Sequence, residues 1–280
     1  MPIINQIVSG GGSSPAPADP MSLKLKVSSG TLTHDNTSAV STTIDFTGVT
    51  ILEDFILPKA YAGNTTITGT AFRNGGSIRT VNSHAAYYTF WGCTGITADG
   101  LTGVVDVLDH ALQGTFRGCT GLTSADVSTI TYNNSYGMYE TFKGCTNLTG
   151  DMSFDSLSSL YGSEALGLTF ANTAITSVSF PALVEISPDD SYQPDPEGDP
   201  EYFDEWGCSM FNNMLLGCSN VTVHFPSNFE ERLGNWASVS SGFGGTNTTV
   251  LFDLDPTVEP DEPEPEPEPE PEEEPPFEEP

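Results

Sequence analysis

The chain has 280 residues, a formal net charge of -30 and only eight Lys and Arg. Neutralising phosphates needs a basic patch, so this balance excludes nucleic acid and anionic membrane as natural partners. No run of about 18 apolar residues is present, so no membrane insertion or transmembrane segment is expected.

Residues 1–22 read as a flexible N-terminal segment. A short apolar run, Ile3 to Val8, is followed by Gly10-Gly11-Gly12-Ser13-Ser14-Pro15-Ala16-Pro17, a linker composition. Met1 to Asn5 lacks both the charged and the apolar region of a secretory signal peptide, so none is expected. Residues 23–56 read as N-terminal strands and a cap. Leu23, Leu25 and Val27 alternate with Lys24 and Lys26, and Phe46 to Ile51 gives a second strand signal.

From residue 57 to 229 the chain repeats itself. Thr89-Phe90-Trp91-Gly92-Cys93-Thr94, Thr115-Phe116-Arg117-Gly118-Cys119-Thr120 and Thr141-Phe142-Lys143-Gly144-Cys145-Thr146 stand 26 residues apart. Weaker copies centre on Tyr61, Phe170 and Leu215. A fixed period of this length predicts a stack of coils in which no unit buries its face alone. Four residues before each anchor lies an apolar residue: Leu57, Ala86, Leu112, Met138, Leu166 or Phe211. That i, i+4 spacing predicts a short helix in each coil, with the following Gly as its C-cap. Alternating stretches such as Val178-Ser179-Phe180-Pro181 and Val223-His224-Phe225-Pro226 predict one short strand per coil. The expected fold is an α/β repeat: a leucine-rich-repeat-type solenoid with one short parallel strand and one short helix per coil, flanked by disordered tails. Cys93, Cys119, Cys145 and Cys218 fall in one column and read as small buried core residues, not metal ligands or disulfides.

The Phe-x-x-Cys-x-x-Leu and Val-x-Phe-Pro halves, in Phe116, Cys119 and Leu122 and in Val178, Phe180 and Pro181, resemble the BspA-type leucine-rich repeat. The resemblance covers about residues 45–230. It departs at Asn64 and Thr173, which take the Cys place, and at Asp99, where an apolar residue is expected. It implies a solenoid used for adhesion or protein binding, with no enzymatic residues. The unsignalled N-terminus, the Gly/Pro linker and the repeats together also resemble structural proteins of bacteriophages of gut bacteria.

Three surface features are candidates for function. The column one residue after each anchor holds Trp91, Arg117 and Lys143, expected neighbours with a cation–π contact, and the most basic spot on the chain. An acidic insertion at 186–207 carries Tyr192, Tyr202 and Trp206 among eight acids and reads as a binding loop. Within it Asp195, Glu197, Asp199 and Glu201 offer oxygens at alternate positions, a pattern suited to calcium, against the reading of a solvated acidic loop. A threonine column, Thr68, Thr97, Thr123, Thr149, Thr176 and Thr222, reads as hydroxyl bonding between coils and not as an ice-binding face. His34, His84, His110 and His224 sit beside no nucleophile motif. Asp99, Asp126 and Asp155 near the strands leave a tailspike-type glycosidase open.

Residues 230–255 read as the C-terminal cap. Residues 256–280 form a disordered Pro/Glu tail, an extended solvated spacer reaching roughly 70 Å if it follows polyproline II. The function expected is non-enzymatic recognition or adhesion, binding a protein or glycan ligand from a virion component or a cell surface. The terminal tails would dock to a larger assembly. The alternatives are a carbohydrate-active enzyme of tailspike type and a purely structural virion decoration protein.

Overall fold

The computed structural model describes residues 25–28, 31–34, 46–187, 209–231, 233 and 242–255. The acidic insertion with its proposed calcium ligands, the segment 1–22 and the tail 256–280 lie outside the described residues, apart from Ile186 and Ser187 at the start of the insertion.

The chain winds as a parallel β-solenoid, and each coil has three sides. The first side is a continuous sheet. Its strands are β1 (Leu25–Ser28), β2 (Thr31–His34), β3 (Ile51–Leu52), β5 (Thr80–Val81), β7 (Asp106–Val107), β8 (Tyr132–Asn133), β10 (Ser159–Tyr161) and β12 (Glu185–Ser187), paired in that order. The β1–β2 pair is antiparallel and every later pair is parallel. Thus the N-terminal hairpin forms one end of this sheet. The opposite side carries β4 (Gly69–Thr70) paired with β6 (Ile96–Ala98). It continues as a second parallel sheet of β9 (Thr149–Ser153), β11 (Ala174–Ser179), β13 (Thr222–Pro226) and β14 (Thr249–Leu254). Each complete coil therefore has two strand positions where the sequence suggested one.

The third side overturns the expected helix. Across 46–187 the described chain contains no α-helix; the segments before each Gly-Cys are runs of turns. Their hydrogen bonds alternate. Thr89, Trp91 and Cys93 donate to Ala86, Tyr88 and Phe90, three residues back in the same coil. Tyr88, Phe90 and Gly92 donate to Gln113, Thr115 and Arg117 of the next coil. A helix would spend every N–H inside its own segment. Here every second one joins the coils, which a stacked array needs. Every fourth residue takes a left-handed conformation, as at His84, Tyr88 and Gly92 or at Tyr136, Glu140 and Gly144. The four-residue period of this ribbon puts apolar pairs inside at i and i+4, so its sequence signature coincides with that of a helix. The Gly that follows the anchors, and Asn172 in its place after Phe170, does take positive φ, but it ends a ribbon of turns.

The core is built of columns. Tyr61, Phe90, Phe116, Phe142 and Phe170 stack with centroids 5.4, 5.9, 5.6 and 5.7 Å apart. Beside them the Cys column is buried and free of disulfides. Its thiols also bond: Cys93, Cys119 and Cys145 donate to the carbonyls of Tyr61, Phe90 and Phe116 at 3.0, 3.0 and 3.1 Å. Thr173, in a Cys place, bonds instead to Phe170 O at 2.7 Å.

The hydroxyl ladder between coils lies one residue before the anchor. Thr89, Thr115, Thr141 and Thr169 are fully buried and donate to the carbonyls of Leu57, Ala86, Leu112 and Met138. The column singled out in the sequence is mostly exposed, and its bonds are fewer: Thr123 to Thr97 O at 3.3 Å and Thr176 to Asp151 at 2.7 Å.

Candidate ligand-binding face

The turn ribbon gives each coil short outward-pointing pairs, and stacking sets them in rows. Trp91, Arg117 and Lys143 occupy successive coils, as their shared place before Gly92, Gly118 and Gly144 requires. The Arg117 guanidinium carbon lies 5.8 Å from the Trp91 ring centre. What the sequence did not reveal is the group that organises them. Glu140, with a side chain only 7% exposed, accepts from Arg117 Nη1 at 2.5 Å and from Lys143 Nζ at 2.6 Å. It also accepts the Tyr88 hydroxyl at 2.8 Å. Burial pushes this carboxyl up, but the Lys143 and Tyr88 hydrogen bonds and the Arg117 charge outweigh it and hold it below the usual carboxylate range. Tyr88 moves upward, through burial first and then the adjacent Glu140 charge.

Aromatic side chains flank this hub. Tyr87 packs edge-on against Tyr88 at 4.7 Å, and Tyr88 edge-on against Trp91 at 5.7 Å. Lys59 Nζ sits 5.8 Å from the Tyr87 ring centre. Two coils on, Tyr139 meets Tyr136 edge-on at 5.4 Å. Along the edge of the face runs a ladder of rings: Phe55, His84, His110 and Tyr136, with centroids 4.7, 4.6 and 4.7 Å apart. His84 is held below its ordinary pKa by burial and by the neighbouring His110, partly offset by Asp109 and Asp54. His110 Nδ1 bonds Gln113 Oε1, and its Nε2 lies 3.7 Å from Asp109. These tyrosines and histidines were missed because their columns mix residue types: Pro58, Tyr87, Gln113, Tyr139 and Gly167 share one place in the ribbon.

Tyr192, Tyr202, Trp206 and the acidic set Asp195, Glu197, Asp199 and Glu201 lie outside the described residues. Among the described residues no group of three or more His, Cys, Asp or Glu is placed to hold a metal ion. No described helix is long and apolar enough to cross a membrane.

The carboxylates considered for hydrolysis have other partners. Asp99 is 3% exposed and accepts the N–H groups of Gly100 at 2.7 Å and Asp126 at 3.2 Å; burial pushes it up to about 6. It replaces the expected apolar residue by binding backbone at a turn. Asp126 accepts from Ser128, and Asp155 from Ser153. On the second sheet His224 Nδ1 lies 2.9 Å from Asp253, and Ser179 is its register neighbour. The Ser179 hydroxyl donates to Ser153 on β9, on the far side of β11 from His224. Ser83 Oγ and His84 Nδ1, sequence neighbours, do share a hydrogen bond at 2.9 Å.

No family model matches. No curated protein and no solved structure matches either.

Proposed function

We propose that this chain is a non-enzymatic recognition or adhesion module that binds a protein or glycan through the ribbon face around Trp91, Arg117 and Lys143. The observation that carries the reading is the Glu140 hub. One nearly buried carboxylate fixes Tyr88, Arg117 and Lys143 on a stacked core and leaves aromatic and cationic groups beside it facing outward. Side chains held on regular backbone present a preorganised surface, which lowers the ordering cost of binding. A BspA-like leucine-rich repeat and a place on a virion remain part of the proposal. The repeat motifs and the linker composition support them. The recognition reading has more support than a tailspike-type hydrolase or a purely structural decoration protein. Asp99, whose carboxyl burial pushes upward, is engaged by backbone N–H groups.

The test is an array of surface proteins and polysaccharides probed with the full chain and with the Tyr87→Ala/Tyr139→Ala double variant. Hits that the variant loses while its circular dichroism is unchanged support the reading. Hits that survive in full place recognition elsewhere and overturn it.

A further inference from the structure

Resting on that reading, we propose that the ribbon face is a subsite for an acidic polysaccharide, with sugar rings on Tyr87 and Tyr139 and a sugar carboxylate on Arg117 and Lys143.

The argument begins with the grid. Tyr87 and Trp91 share one coil, Gln113 and Arg117 the next, Tyr139 and Lys143 the one after. Paired strands lie about 4.8 Å apart, so Tyr87 and Tyr139 stand about 10 Å apart along the axis. Gln113 lies between them and is only 9% exposed, so the row dips at its centre. The span accommodates two pyranose rings end to end.

The chemistry of the row suits a sugar. Protein hot spots are also enriched in Tyr, Trp and Arg, so the peptide among the probes below is what separates the two ligand classes. Among the described residues the exposed large hydrophobics are Phe55, Leu216 and Leu251, and none of them belongs to the grid. The grid instead alternates half-buried rings with polar groups: phenols, an indole, a guanidinium and an ammonium. A pyranose has matching alternation, with one face of C–H groups and a rim of hydroxyls. Amphipathic rings that supply apolar area and a hydrogen-bonding tip suit it.

The charge of the row favours an acid. Arg117 and Lys143 carry two positive charges against the single negative charge of Glu140, and Glu164 acts on Tyr139 nearby, so the positive excess is local to the Arg117–Lys143 pair in a chain of net charge -30. Arg117 contacts Glu140 through Nη1, and its side chain is 36% exposed. A guanidinium has five N–H donors in a planar fork, and a carboxylate takes two of them at once. Glu140 fixes the fork from below, which leaves its outer edge for a ligand.

The experiment is titration calorimetry of the full chain at about 0.15 M salt, where distant surface charges are largely screened. The probes are polygalacturonate oligosaccharides, neutral cello-oligosaccharides and a poly-glutamate peptide. Polygalacturonate is expected to bind. Tyr87→Ala/Tyr139→Ala and, separately, Arg117→Gln are each expected to weaken it about tenfold or more. Arg117→Gln removes a Glu140 partner, so the tyrosine pair, which lies outside the hub, is the control against misfolding. Equal binding of poly-glutamate would overturn sugar recognition. Equal or tighter binding of the neutral sugar would overturn the acidic preference while leaving the face a recognition site. No sugar binding, together with array hits lost in the tyrosine variant, would overturn this inference alone. No sugar binding and no tyrosine-dependent hit would overturn both.

Discussion

Tyr88 and Glu140 stand two coils apart and share a hydrogen bond, 2.8 Å from Oη to Oε2. The reach is open only because the residue between them in the column is Gly114. A Cβ there would lie 2.4 Å from the Tyr88 ring, and Gly114 also has φ of 60°. Gly114→Ala is therefore expected to destabilise the fold by about 2–4 kcal/mol, through steric displacement of Tyr88 added to backbone strain. Urea unfolding measures it, and Trp91 fluorescence reports the displaced neighbour. An unchanged midpoint would show that Tyr88 moves aside freely. Glu140→Gln keeps the shape and removes the charge. It is expected to cost about 1–2 kcal/mol, the lower end reflecting the solvent exposure of Arg117.

Asn133 is the polar member of an otherwise apolar column that holds Leu52, Val81, Val107, Leu160 and Ile186. It is fully buried. Its Nδ2 donates to Ala165 O at 3.0 Å, but its Oδ1 has no partner. The Ala165 carbonyl also accepts from Met138 N, so it loses little if Asn133 goes. Asn133→Leu is expected to raise stability by about 1–2 kcal/mol by removing an unsatisfied buried oxygen. Chemical denaturation checks the sign. A lower midpoint would mean that the oxygen is bonded by a water that the substitution expels.

The coil period and the inward columns were readable because stacking asks the same question at each turn of the chain. Phe90, Phe116 and Phe142 answer it identically, as do Cys93, Cys119 and Cys145. The ribbon of turns was not readable. Ala86 and Phe90 four residues apart fit a helix equally well, and nothing marks Tyr88, Glu140 or Leu168 in advance as left-handed. The ladder of Thr89, Thr115 and Thr141 had a signal, the repeated Thr-Phe pair, which an apolar reading of the anchors passes over. At the candidate site the same logic applies. Trp91, Arg117 and Lys143 were found because they share a register with an obvious motif. Glu140 was hidden because its column reads Lys59, Tyr88, Gly114, Glu140 and Leu168. Its role depends on a glycine making room for a tyrosine.

The Cys column makes a prediction about reactivity. Thiolate is the reactive form. Burial pushes Cys93 up to about 11 and Cys145 up to about 12, and it raises Cys119 as well. At pH 8 none of these three should react with a thiol reagent in the folded protein, and all should react in urea. Mass spectrometry after pulse labelling locates the modified residues. Cys119→Ser should be tolerated better than Cys119→Val, since a hydroxyl can still donate to Phe90 O while valine adds volume and no donor. Fast labelling of Cys119 in native buffer would show that the coil opens locally there.

A buried carboxyl and a half-buried imidazole should give opposite slopes of stability against pH. Asp99 is pushed up to about 6 by burial, from the ordinary aspartate value of about 4, so the folded state binds its proton more tightly than the unfolded state. Its contribution is fully present below about pH 4 and is lost as pH rises through about 6, a change of about 3 kcal/mol. Asp99→Asn should flatten the curve over that window. His84 behaves the other way. Its folded value lies below the ordinary 6.5, so protonation favours the unfolded chain. Stability linked to it is present above about pH 6.5 and lost as pH falls. His84→Phe, which copies Phe55 in the same ladder, should remove that acid-side loss. Urea midpoints at four pH values between about 4 and 7, for the parent chain and both variants, separate the two effects. Parallel curves for the parent and Asp99→Asn would show that Asp99 has the same proton affinity folded and unfolded, and would overturn its assignment as a buried carboxyl.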